Sequence, residues 1–200
     1  MARYGLAAAT IDGKLYAVGG FNGNYLNTLE VYDPTNNTWT TKASMPTSTG
    51  YFGAATIDGK LYAVGGHDGN SFVTTLEVYD PANNTWTTKA SMPTARFGLA
   101  AAAIDGQFYA VGGRDNSGGY FPTLEIYDPA SDTWTTKPVM PTNRYGLAAA
   151  TIDGQLYAVN GSNGNYLSTL EVFQLTTDTT SPVTTSSPSA TPNANNWYNQ

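Results

Sequence analysis

The sequence predicts an all-β fold of four repeated units, each of four short strands, with the last unit incomplete and a Thr/Ser/Pro-rich tail behind it. Three observations carry this. The segment Thr10 to Gly20 returns as Thr56 to Gly66, Ala103 to Gly113 and Thr151 to Gly161, a step of about 47 residues that marks a stacked or circular repeat. An Asp-Gly pair follows the isoleucine in every copy. Each full unit also runs from an Ala-rich stretch to a tryptophan, from small side chains to large ones.

The elements of one unit follow in order. The first strand is expected at Arg3 to Thr10. Asp12-Gly13 then makes a two-residue hairpin, because both residue types tolerate positive φ; Asp58-Gly59, Asp105-Gly106 and Asp153-Gly154 repeat it. The second strand, Leu15 to Val18, ends in Gly19-Gly20, and a variable loop follows. The third strand, Thr28 to Tyr32, stops at Asp33-Pro34, where proline removes a ladder donor. The fourth starts at Trp39 and ends before Met45-Pro46; Trp86 and Trp134 mark it in the next two units.

The alanine runs (Ala7 to Ala9, Ala100 to Ala103, Ala148 to Ala150) favour helix by local propensity. The hairpin turns and the repeat argue for strand instead. In radially arranged sheets the first strands converge near the axis, where only small side chains fit. The outer strand then needs a large ring to cover the gap between sheets. Small inside and large outside is the taper of a propeller blade.

A double glycine after an aliphatic strand with tyrosine, then Glu30-Val31-Tyr32-Asp33-Pro34, then Trp39 and Met45-Pro46, resembles the kelch repeat. The resemblance covers about residues 2 to 175 and implies kelch-type β-propeller blades at about 2–46, 47–93, 94–141 and 142–175. Domain limits of 1–175 for the propeller and 176–200 for the tail follow. There are departures. Unit two has Thr49-Gly50-Tyr51-Phe52 where the others have Arg-aromatic-Gly-Leu. Unit four has Asn160-Gly161 for Gly-Gly, and its third strand, Leu170 to Gln174, lacks the Asp-Pro stop and the tryptophan strand at the usual distance. Kelch propellers usually have more than four blades, so the chain reads as an incomplete circle, a fragment, or a protomer completed by another chain.

Composition narrows the functional classes. The net charge is −6 with no basic stripe, which argues against a nucleic-acid partner. Cysteine is absent, so disulfides, thiol catalysis and Cys-ligated zinc are excluded for this chain. No apolar run approaches the roughly 20 residues of a membrane span. The expected location is extracellular or cell surface, with no signal peptide visible before the first repeat. Asn36, Asn83 and Asn160 open glycosylation sequons that have meaning only in a secretory route. No cofactor is expected. Among kelch-like propellers, the copper radical oxidases need a Cys–Tyr cross-link and two His, and this chain has one His. No distinct nucleophile–base pair stands outside the repeat, so the chain reads as non-catalytic, with a propeller hydrolase as a remote alternative.

Candidate binding residues lie in the loops between second and third strands, which differ in length and charge. They are Tyr25, His67 with Asp68, Arg114 with Asp115, Tyr120 and Tyr166. Arg3, Arg96 and Arg144 open their first strands and are expected on the same face. The kelch resemblance implies that arginines at this position contact acidic groups of a partner; the alternative is a pairing inside the blade. Glu30, Glu77, Glu125 and Glu171 recur in every unit and read as scaffold.

From 176 to 195 the composition turns to Thr, Ser, Pro, Ala and Asn, as in a flexible linker or glycosylated stalk. Asn195-Asn196-Trp197 echoes Asn36-Asn37-Thr38-Trp39. Trp197 and Tyr198 are therefore candidate assembly residues that supply a missing outer strand, to their own fourth blade or to a neighbouring chain. Two functional readings result. One is an interaction module for a protein, peptide or glycan. The other is a self-assembling structural protein, a filament or tube, in which unpaired edges and the tail join copies head to tail.

Overall fold

A computed structural model describes residues 1–174 and 197–199. Among these residues are sixteen strands and no helix, so nothing is long and apolar enough to cross a membrane as a helix. Blade I contains β1 (Ala7–Ile11), β2 (Lys14–Val18), β3 (Leu29–Asp33) and β4 (Thr38–Lys42). Blade II contains β5 (Gly53–Ile57), β6 (Lys60–Val64), β7 (Leu76–Asp80) and β8 (Thr85–Lys89). Blade III contains β9 (Ala100–Ile104), β10 (Gln107–Val111), β11 (Leu124–Asp128) and β12 (Thr133–Lys137). Blade IV contains β13 (Ala148–Ile152), β14 (Gln155–Val159), β15 (Leu170–Gln174) and β16 (Trp197–Asn199). Each blade is an antiparallel sheet whose strand order follows the chain.

The Asp-Gly turns form as their chemistry requires, with φ of 48° at Asp12 and 72° at Gly13. The first strands are shorter than expected. They begin at Ala7 and its equivalents, because Gly5, Gly98 and Gly146 sit at φ of 61° to 63°, where an extended ladder cannot continue. Tyr4, Phe97 and Tyr145 instead make single bridges to Phe21, Arg114 and Ser162.

The fourth blade obtains its outer strand from the chain's end. Trp197 lies opposite Phe173 in β15, as Trp134 lies opposite Tyr127 in β11. Residues 175–196, including the expected linker or stalk, lie outside the described residues, as does the side chain of Tyr198.

Each core is a joint between successive blades. One blade offers a forward face (Ile11, Tyr16, Val18 and Met45 in blade I). The next offers a backward face (Phe52, Leu61, Tyr79 and Trp86 in blade II). Two further joints repeat this with Ile57 against Phe108 and with Ile104 against Leu156. Near the axis the sheets approach backbone contact. A Cβ added at Gly53 would lie 2.8 Å from the Cβ of Ala101, and one at Gly19 would lie 2.6 Å from the Thr49 carbonyl. At the rim, three of the four tryptophans reach back to the preceding blade: Trp86 Nε1 donates to the Ala43 carbonyl at 2.8 Å, Trp134 to that of Ala90 at 2.8 Å, and Trp197 to that of Pro138 at 3.1 Å. A backbone ladder runs around the axis. Tyr51 N–H donates to the Gly5 carbonyl, Gly98 N–H to that of Tyr51, and Gly146 N–H to that of Gly98, each at 2.7 Å.

Among the described residues no fourth joint closes blade IV on blade I. Trp39, with no described blade before it, is 55% exposed, and its indole N–H has no acceptor among the described residues. The rim bond therefore gives a direct comparison. Trp134→Phe removes a donor from a half-buried carbonyl and should cost about 1 kcal/mol more than Trp39→Phe, measured by urea unfolding of each variant.

Candidate functional site

The bend at Gly5, Gly98 and Gly146 decides where the preceding arginines go. The structure places all three inside the blades rather than on the loop face. Arg96 Nη1 donates to the Gly112 carbonyl at 3.0 Å, and its Nη2 pairs with Glu125 Oε1 at 2.9 Å. Arg144 repeats this on the Asn160 carbonyl at 2.9 Å and Glu171 Oε1 at 2.6 Å. Arg3 pairs with Glu30 at 2.8 Å. The Arg96 and Arg144 side chains are fully buried, and burial pulls the Arg96 guanidinium down from its ordinary value while Glu125 opposes the shift. Two of the repeated glutamates also hold the segment that leads in from the preceding blade: Thr94 Oγ1 donates to Glu125 at 2.7 Å, and Thr47 Oγ1 to Glu77 at 2.6 Å. Blade II lacks the arginine. Thr49 takes its place and donates to the Gly65 carbonyl at 3.1 Å. Glu77 is thus buried with no cation beside it among the described residues.

The loop face is set by the residue that follows each glycine pair: Phe21, His67, Arg114 and Ser162. Each is bridged to the entry of its own first strand and to the far side of its loop. Rings from these positions form a closed circuit. Tyr4 meets Phe21 (centroids 5.5 Å apart), Phe21 meets Tyr25 (4.9 Å), and Tyr25 meets His67 (4.8 Å). His67 meets Phe72 (5.4 Å), Phe72 stacks on Phe97 (5.1 Å), Phe97 meets Tyr51 (4.5 Å), and Tyr51 returns to Tyr4 (5.9 Å).

Arg114 sits beside this circuit. Its guanidinium carbon lies 5.0 Å from the Phe97 centroid, 5.8 Å from that of Phe72 and 5.2 Å from that of Tyr145. Tyr145 in turn stacks on Tyr120 at 5.4 Å. Cation–π attraction thus fixes the group in place. Among the described residues it has no carboxylate, carbonyl or hydroxyl partner, and its Nε–H is buried without an acceptor. A guanidinium carries five donors, and among the described residues none of those on Arg114 has a hydrogen-bond acceptor.

The structure gathers Tyr25, His67, Arg114 and Tyr120 on this face. Asp68 and Asp115 shape their loops instead. Asp68 Oδ1 accepts from the Ser71 and Asn70 N–H groups, which hold its carboxyl below the usual range. Asp115 Oδ1 accepts from Ser117 and Gly119. His67 Nδ1 accepts from the Gly69 N–H at 2.9 Å, so its proton resides on Nε2. Tyr166 stands apart on blade IV, 98% exposed. Among the described residues no group of three or more His, Asp or Glu is placed to hold a metal ion.

Comparison with known families fits this geometry. The family profile described as the kelch motif matches residues 2–46, 48–93, 95–141 and 143–185. The chain belongs to the kelch-repeat family. A solved structure titled "Structure of YjhT" superposes with a TM-score of 0.78 at 18% identity, over 88% of this chain and 62% of that one. That likeness concerns the fold alone, and the chain spans less than two thirds of that chain's length. No curated protein sequence matches the chain.

Within the kelch frame, Tyr51 is the residue that sequence reading passes over. It occupies the position of Gly5, Gly98 and Gly146 and takes their left-handed backbone, at φ 58°. For a bulky aromatic residue this conformation is a strained outlier. It swings the ring between Tyr4 and Phe97 and so completes the circuit. The signal was the exchange of order in Gly50-Tyr51 against Tyr4-Gly5. Arg144→Ala strands Glu171 in the core and should cost about 3–5 kcal/mol, whereas Glu77→Gln, which removes an unpaired charge, should stay within about 1 kcal/mol of the parent or exceed it. Denaturant midpoints of the two variants give the comparison.

Proposed function

We propose that this kelch chain is a non-catalytic interaction module that captures an acidic segment of a protein or peptide on its loop face. Kelch propellers are commonly protein-interaction modules. The observation that supports the finer reading is Arg114, an unpaired guanidinium held between rings with a buried, unsatisfied Nε–H. A carboxylate matches its donor fork, and two parallel bonds give direction as well as attraction. Arginine set among half-buried aromatic rings is also the composition of an interface hot spot. The aromatic circuit supplies apolar area beside the charge, which suits a peptide whose acidic residue is flanked by an apolar one.

The test is peptide-display selection on the purified chain, followed by calorimetry with the enriched peptides. Acidic peptides should be enriched, and Arg114→Lys should weaken them at least about tenfold, because a point charge cannot supply the fork. The thermal midpoint should move little, since lysine keeps a cation over the rings and the Arg114 side chain makes no hydrogen bond to the described scaffold. Selection that enriches no acidic residue, binding that survives Arg114→Ala, or binding of neutral glycans instead would overturn the reading.

A second reading, self-association, draws on a separate observation: the backward face of blade I is uncovered at Leu15 and Trp39.

A further inference from the structure

The two ends of the blade series are unlike each other, and each resembles one half of an internal joint. At the three internal joints the forward isoleucines Ile11, Ile57 and Ile104 are 4–5% exposed, but Ile152 of blade IV is 55% exposed. On the backward side Leu61, Phe108 and Leu156 are fully buried, but Leu15 of blade I is 36% exposed. The same holds along the axis. Among the described residues the ladder ends in a Gly5 N–H without an acceptor at blade I and a Gly146 carbonyl without a donor at blade IV. Beside Trp39, blade I carries a hollow of about 460 Å³ lined by Leu6, Ala17 and Glu30.

We propose that the face of blade I receives blade IV of a second copy of this chain, with Ile152 of one copy packed toward Leu15 and Trp39 of the next. This rests on the self-association reading and adds the joint through which it happens. The choice of occupant comes from the molecule itself, because forward isoleucine against backward leucine or phenylalanine is a contact it already makes three times. The contact is head to tail, so copies build a ring where the rotation closes and a filament where it does not.

One residue weakens the joint. A Cβ at Gly19 or Gly112 would lie 2.6 or 2.7 Å from a carbonyl of the next blade, and Asn160 holds that position in blade IV. The association is therefore looser than an internal joint and depends on concentration.

Sedimentation velocity of the full chain over a range of concentrations tests this, with Trp39 fluorescence as a local reporter. Mass should rise with concentration while Trp39 emission shifts to the blue. Asn160→Gly should tighten the association. Ile152→Asp and Leu15→Asp should each weaken it at least about tenfold, since a charge would enter an apolar joint. Both sites are exposed in the single chain, so circular dichroism should be unchanged. Mixing the two variants restores one intact joint per pair and should recover a dimer. A chain that stays monomeric even as Asn160→Gly overturns self-association altogether. Association that survives either charge, or that mixing does not recover, leaves self-association standing and overturns this joint.

Discussion

Adjacent sheets must touch from the axis to the rim, and the rest of the structure depends on that contact. Near the axis it is so close that glycine or alanine is required: Gly53 faces Ala101, and Gly19 faces the Thr49 carbonyl. At the rim the gap is wide enough to need an indole, and the indole N–H must then find a carbonyl on the blade before it. The Glu–Thr bonds tie in the segments that link one blade to the next, and the Arg–Glu bonds hold each blade internally. Where the contact is missing, its demands lapse. Asn160 replaces glycine in the one blade with no described successor, and Trp39 is left exposed in the one with no described predecessor.

In the function proposed here, recognition falls to what this contact leaves free. The residue after each glycine pair faces the loops, and it differs in every blade: Phe21, His67, Arg114 and Ser162. Three of the four arginines are consumed inside the scaffold, by bonds to their own blade's glutamate and carbonyls. The fourth is held by rings alone and keeps its donors. Tyr51 shows what the loop face requires, since a left-handed aromatic residue costs about 1–2 kcal/mol of backbone energy to place one ring.

Much of the scaffold was legible in the sequence because backbone demands repeat with the chain. Asp12-Gly13 and its equivalents could only be tight turns, the alanine runs could only be inner strands once the repeat was seen, and the echo around Trp197 marked a fourth outer strand. The site was less legible. That Arg96 turns inward depends on the left-handed Gly98 behind it, and a repeat pattern does not say on which side of a bend a side chain falls. Asp68 and Asp115 looked like contact residues, yet their neighbours' N–H groups claim them. The setting of Arg114 is a fact of space: among the described residues no carboxylate pairs with it, and its rings come from blades II, III and IV.

The division of the arginines into three for the scaffold and one for a partner is the central claim, and the side-chain Nε–H resonances in a ¹H–¹⁵N spectrum report on each directly. In a titration with N-acetylglutamate amide, the Arg114 signal should move and saturate while those of Arg3, Arg96 and Arg144 stay in place. An Arg114 signal that does not respond, or a response centred on Arg96 or Arg144, would contradict the account.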